Sequence, residues 1–392
     1  MVYYTSTSQY MKLSSMAGRG KSMSSNDLQV NSTYIWNEIH EQPVAIRHAL
    51  TSSQATILKI AEEVKQREID LIVLVARGTS DHAALYGQYL FQYLNGIPVA
   101  LATPSIITLY GAHLRLQHAL VIGISQSGAA PDVTSVIKQA HGAGALTVGI
   151  TNVEGSALAN TVDYPLFCAA GPELSVAATK TYTTTCAILA QLAAHLPGGE
   201  VLLDQVGRLP DLAAAALQSE QAVASIALRY AHARDCVVLG RAFQYSTARE
   251  TALKLAETCY ILATPFSTAD FRHGPTAVLE YGRPVLLYAP PGRTLTDNYE
   301  LLQLLKDKEA DTIVISEDPR LLDLATTPIQ VQLPTLNGSV SGNEASSPID
   351  VAELLSPIPY IIYGQFLAMH LSISKGLNPD KPRGLTKVTK TI

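Results

Sequence analysis

A chain of 392 residues exceeds what one hydrophobic core usually serves, so two modules are expected. With 47% hydrophobic and 16% charged residues and no apolar run of bilayer-spanning length, the composition fits an ordinary globular protein and argues against membrane insertion. The formal net charge of -5 supplies no general attraction for nucleic acid, whose phosphates reward clustered Lys and Arg, but leaves room for local capture of a small anion.

Residues 1–30, rich in Ser, Thr, Met and Tyr, lack the continuous apolar region of a secretory signal despite the basic positions in GRGK, and read as a mobile tail. Cys168, Cys186, Cys236 and Cys259 show no CxxC spacing and sit in or beside apolar stretches, which suits thiols packed as small hydrophobes rather than a metal site or disulfides. With nothing else to target the chain, the reducing cytoplasm is the default compartment.

Residues 70–76 (DLIVLVA) form a short apolar run ending at Gly78-Thr79-Ser80 and followed by helix-like DHAALYGQYLFQYL, which predicts strand, tight turn and helix. The pattern returns at 119–127 (ALVIGISQS) and at 145–151 (ALTVGIT), with the helical segment VTSVIKQAHGAG between them. Continuous apolar strands alternating with helices predict a parallel sheet covered on both faces.

A break at Leu209-Pro210 precedes an Ala- and Gln-rich segment, 213–226, that reads as a single bridging helix. A second series of strands follows at 235–240, 284–289 and 311–316, and Asp70 and Asp235 open corresponding strands, as duplication of one module would produce. The expected division is a first module at 31–215, a second at 216–375 with its last helix at 360–375 after a loop at 336–348, and a tail at 376–392 that Pro379, Pro382 and Gly384 keep from being helical.

In an open parallel sheet, ligands collect beyond the carboxyl ends of the strands, where helix N-termini expose N–H groups. Ser125-Gln126-Ser127-Gly128 leaves a strand there with two hydroxyls, an amide and a glycine, which suits a phosphate, and Thr79 and Ser80 could complete the cradle. Helix capping explains such hydroxyls equally well singly, but less well in two turns of one module. In the second half, Glu250, Lys254 and Glu257 share a helix face, followed by Asp270, Arg272 and His273; an exposed salt-bridged face is the plain alternative, and for His273 a loop histidine bonded to nearby backbone.

Taken in order, EIHEQPVAI (38–46), RGTS (77–80), SQSG (125–128), VAATK (176–180), LGRAFQY (239–245), ALKLAE (252–257), RHGP (272–275) and PRGLTK (382–387) make the chain resemble the tandem sugar-isomerase (SIS) family, especially the isomerase half of glutamine–fructose-6-phosphate amidotransferases and the stand-alone glucosamine-6-phosphate deaminases. The resemblance implies two doubly wound, flavodoxin-like α/β domains with parallel sheets. It implies phosphate binding by Ser80, Ser125, Gln126 and Ser127, with Val176 and Ala177 beside the sugar. Glu257 would shuttle the proton between C1 and C2, His273 from a neighbouring subunit would open the ring, Lys387 would meet the open-chain carbonyl, and Lys254 would help position substrate and developing charge.

The sequence departs from the amidotransferase pattern after SQSG, where Ala129-Ala130-Pro131-Asp132 removes a hydroxyl expected at the phosphate. It also lacks the N-terminal cysteine nucleophile that releases ammonia from glutamine, residue 2 being Val, so glutamine-dependent synthesis is not expected. The expected activity is isomerisation or deamination of a hexose 6-phosphate or amino-hexose 6-phosphate in a homodimer with composite sites, with a sugar–amino acid phosphate deglycase or a non-catalytic sensor as alternatives. No compact His/Cys ligand set exists and proton transfer needs only acid–base groups, so neither metal nor organic cofactor is expected. Loss of the tail beyond residue 384 is expected to stop catalysis and spare stability, because few core contacts would go with it; the plain alternative is a frayed and dispensable chain end.

Overall fold

The computed structural model describes residues 30–340 and 349–387, so the expected tail up to residue 29 and residues 341–348 of the expected loop lie outside the described residues. The first sheet contains β1 (Leu71–Val75), β2 (Val99–Leu101), β3 (Ala119–Ile124), β4 (Leu146–Thr151) and β5 (Tyr164–Phe167), all parallel, in the order β2-β1-β3-β4-β5. Every residue of β3 and β4 is buried, so neither strand shows polar alternation; helices cover both faces.

The second sheet contains β6 (Asp235–Gly240), β7 (Leu262–Ser267), β8 (Pro284–Ala289), β9 (Asp311–Ser316) and β10 (Thr327–Gln330), again all parallel, in the order β10-β9-β8-β6-β7. Read from β7, this is the strand order of the first sheet. The two modules are therefore copies of one doubly wound topology. One continuous apolar core takes residues from both sheets, such as Leu74 and Leu120 from the first and Val238 and Leu286 from the second. It is filled by the helices Gln42–Gln66, Lys180–His195, Gln244–Cys259 and Pro357–Ser374, the last buried from Pro357 to Ser372. All four cysteines are buried free thiols.

Two expected boundaries differ. The bridging segment is two helices, Leu209–Leu217 and Glu220–Ala227, and the first begins at the expected break, because Pro210 sits in its first turn, where the missing N–H has no partner to lose. Pro357 and Pro359 likewise occupy the opening turn of the last helix, which begins three residues earlier than expected. Among the described residues no helix is long and apolar enough to cross a membrane.

Candidate active site

β1 pairs with β2 on one side and β3 on the other, so the connections that leave β1 and β3 run in opposite directions and open a crevice between them at the carboxyl edge. A cavity of about 330 Å³ occupies this point. Thr79 and Ser80, in the first turn of the Thr79–Leu94 helix, line one side, and Ser125, Gln126 and Ser127, leaving β3, line the next. Gly128 closes that turn with φ +61°, and a Cβ there would stand 2.1 Å from Ser156 Oγ, so only glycine lets the turn lie this close to its neighbour.

The opposite wall comes from the second module. Glu250, Lys254 and Glu257 lie along the Gln244–Cys259 helix, and Lys254 and Glu257 line the cavity. The exposed-face alternative fails: Glu250 and Lys254 are fully buried. Lys254 Nζ is 2.7 Å from Glu257 Oε2 and 3.3 Å from Glu250 Oε1, and it donates to Thr79 Oγ1 at 3.3 Å. Burial by itself would lower the Lys254 pKa, but the two carboxylates outweigh it and hold it raised, so the ammonium is charged across the neutral range. At 2.7 Å the Lys254–Glu257 contact is the shorter of the two ion pairs that hold the ammonium.

Glu250 joins the modules. It accepts from Thr79 Oγ1 at 3.0 Å and lies 2.7 Å from His82 Nδ1, both first-module groups. Thr79, expected in the phosphate cradle, thus lines the cavity while its hydroxyl proton goes to Glu250. Sequence reasoning named Glu250 but missed His82, which sits inside an apolar-looking helix with no local signal.

The third wall is the chain end with the 173–178 segment. Val176 and Ala178 line the cavity, whereas Ala177 is fully buried in the core behind it. Leu385, Thr386 and Lys387 complete the lining. The tail is strapped down upstream: Asp380 accepts from the Tyr34 and Ile35 N–H groups, its carbonyl accepts from Val176 N–H, and Arg383 lies over the Tyr260 ring at 4.1 Å while its N–H donates to Tyr260 Oη.

Lys387 Nζ donates to Glu173 Oε2 at 2.7 Å and to the Ser175 carbonyl at 2.9 Å. Glu173 is fully buried and also accepts from the Thr179 and Thr181 N–H groups, capping the Lys180–His195 helix. Burial would raise its pKa; the Lys387 ammonium and these donors outweigh that and hold it low. The expectation that the tail is dispensable for stability is therefore corrected, because it carries the cation of a buried carboxylate. Glu38, quoted in EIHEQPVAI without a role, bonds the Leu174 and Ser175 N–H groups and the Ser175 hydroxyl, fixing the same segment; burial pushes its carboxyl up.

His273 follows the Thr268–Arg272 helix, is exposed, and does not line the cavity of its own chain. Nearby Arg272 is committed to Asp297, at 3.3 Å from Oδ1. Among the described residues no group of three or more His, Cys, Asp or Glu could hold a metal ion.

A family model described as "SIS domain" matches residues 54–195 and 229–320. The chain is 36% identical over 360 residues to a glutamine--fructose-6-phosphate aminotransferase [isomerizing] of Pyrococcus horikoshii, covering 90% of this chain and 57% of that protein. It therefore spans little over half the length of that relative. A solved structure from Silicibacter pomeroyi DSS-3, assigned provisionally as a phosphosugar isomerase, superposes with TM-score 0.75 at 31% identity, covering 89% of this chain and all of that one. A Thermotoga maritima glucosamine-6-phosphate deaminase shares the fold at TM-score 0.72 and 21% identity, covering 92% of this chain and all of that one.

Proposed function

Because this chain belongs to the SIS-domain family, we propose that it is an amino-sugar-phosphate isomerase or deaminase, converting glucosamine 6-phosphate and water to fructose 6-phosphate and ammonia. The observation that carries this reading is a single cavity joining a hydroxyl-rich turn, Ser125–Ser127, to a carboxylate and an ammonium, Glu257 and Lys254, from the other module. The turn suits phosphate, and the pair suits proton transfer at the far end of the sugar.

In the open-chain aldose, Glu257 would take the C2 proton while the aldehyde oxygen gains one, giving an enaminol. Return of the proton to C1 leaves an imine at C2, which water hydrolyses to the ketone with release of ammonia. Lys254, charged and fixed between Glu250 and Glu257, would stabilise the negative charge developing on the C1 oxygen. Lys387 would close over the sugar from the tail and exclude water during proton transfer. His273 would act in the site of a partner copy, consistent with its exposure outside its own cavity.

The test is a panel of glucosamine 6-phosphate, galactosamine 6-phosphate, fructose 6-phosphate and a fructosamine 6-phosphate, with ammonia and ketose phosphate followed together. Equal release of both from an amino sugar supports the deaminase. Ketose phosphate interconversion without ammonia narrows the reading to isomerase, and binding without turnover of any member refutes both.

A further inference from the structure

Arg77 lines the cavity but carries no role in the chemistry above. It stands two residues past the end of β1, and Ser125 stands directly past the end of the neighbouring strand β3, so both flank the crevice where the chain reverses direction. The side chain is 54% exposed and touches Asp132, which is buried in the first turn of the Pro131–Gly142 helix.

The contact is one-sided. Arg77 Nε donates to Asp132 Oδ2 at 2.6 Å, while Asp132 Oδ1 accepts from the Val133 N–H at 2.9 Å, so the carboxylate is pinned and in turn pins the guanidinium by its inner edge. Nη1 and Nη2 make no hydrogen bond or ion pair among the described residues. A planar guanidinium held at Nε keeps its outer edge, two parallel N–H donors, for an anion.

The cavity needs such a donor. The other two lining cations are committed, Lys254 to Glu250 and Glu257, and Lys387 to Glu173. The Thr79 hydroxyl proton goes to Glu250. Past Ser127 the turn offers only Gly128, Ala129 and Ala130, then Pro131, which has no N–H. A phosphate carries close to two negative charges near neutral pH, and neutral hydroxyls alone leave most of that charge unmatched.

We propose that Arg77 is the phosphate-specificity residue of this cavity, donating from Nη1 and Nη2 to the phosphoryl oxygens of a hexose 6-phosphate seated on the Ser125–Ser127 turn. This rests on the functional reading above. A purely structural Arg77–Asp132 pair, joining a half-exposed guanidinium to a buried carboxylate, would affect stability without discriminating phosphorylated from plain sugars.

Calorimetric titration of the full chain with glucose 6-phosphate, inorganic phosphate and glucose distinguishes the two. Arg77→Gln is expected to bind glucose 6-phosphate ten- to a hundredfold more weakly, the range for losing a charge-assisted contact, with a parallel loss for inorganic phosphate. In kinetics the loss falls on KM rather than kcat. Ala130→Thr in the Arg77→Gln background, which puts a hydroxyl on the cavity wall, should recover part of it. Equal affinity of Arg77→Gln and the unaltered protein for glucose 6-phosphate overturns the assignment. If Arg77→Gln loses its thermal transition, Arg77→Lys decides instead, with a loss of at least threefold expected and unchanged affinity overturning the idea. If the unaltered protein binds neither glucose 6-phosphate nor glucosamine 6-phosphate, the functional reading itself has failed.

Discussion

Lys387→Ala tests whether the chain end is a catalytic lid, a structural strap or both. In the folded protein Glu173 is fully buried and accepts from Lys387 Nζ at 2.7 Å, Thr179 N at 2.9 Å, Thr181 N at 3.1 Å and Thr181 Oγ1 at 2.8 Å. Removing the lysine leaves the carboxylate three neutral donors. Breaking a buried ion pair outright costs about 3–5 kcal/mol, and losing one hydrogen bond to a charged group about 1.5–3. Because three donors remain, the loss should fall in the lower range, about 1.5–3 kcal/mol at pH 7.5 by urea denaturation.

The pH dependence carries a sign. Glu173 is held below its ordinary value of 4.5, so its contribution is present above pH 4.5 and fades as pH falls through the depressed folded value. In Lys387→Ala, burial is no longer offset by the ammonium, so the carboxyl is driven the other way and its penalty is relieved as pH falls. The stability gap between the two proteins should therefore narrow towards pH 4. Glu173→Gln in the Lys387→Ala background should return most of the lost stability while turnover stays reduced at least a hundredfold. Full activity in that double variant would refute a catalytic Lys387, and undiminished stability in Lys387→Ala would refute the buried-pair reasoning.

Ser125→Ala and Ser127→Ala should each raise KM for the phosphorylated substrate about three- to thirtyfold with little change in melting temperature, since each removes a hydroxyl but no core packing. Mixing inactive Glu257→Gln subunits with inactive His273→Ala subunits should restore measurable activity if His273 serves a partner's cavity; a strictly monomeric active protein would exclude this. His370 lies 3.1 Å from Glu220, and burial lowers its pKa below 6.5 despite that carboxylate. The unfolded chain therefore takes up the proton first, and stability should fall as pH drops through 6.5 towards the folded value. An equally steep melting-temperature curve in His370→Gln would place that acid sensitivity elsewhere.

The strands legible in the sequence are those at the sheet centres. DLIVLVA, ALVIGI, DCVVLG and PVLLYA are continuous apolar runs because both faces are covered, and such runs announce themselves. The edge strands β2, β5, β7 and β10 left no comparable trace: β2 has three residues, and β7 carries Pro265, which only an edge or a bulge tolerates. The site shows the same division. The i, i+3 and i, i+4 spacing of Glu250, Lys254 and Glu257 is local and readable, whereas the contacts of Glu250 with Thr79 and His82 join residues about 170 positions apart and exist only after the modules dock. Lys387 was readable from its motif, but its buried partner Glu173, 214 residues away, was not.

Duplication gives the chain two switch points, and the second is filled from within. At the carboxyl end of β8, in the place corresponding to the Ser125–Gly128 turn, the Arg293 N–H donates to Glu353 Oε2 at 2.9 Å, and a Cβ on Gly292 would stand 2.2 Å from that oxygen. A buried carboxylate, its pKa pushed up by burial, thus sits on the turn where the first module presents open hydroxyls. The second module contributes instead through the helix that follows its first strand. Gln244–Cys259 follows β6 as Thr79–Leu94 follows β1, and the two corresponding helices meet through Glu250, His82 and Thr79. On the function proposed above, one copy would supply the anion turn and the other the acid–base helix; the cavity takes its lining from both modules, and either alone would hold half of it.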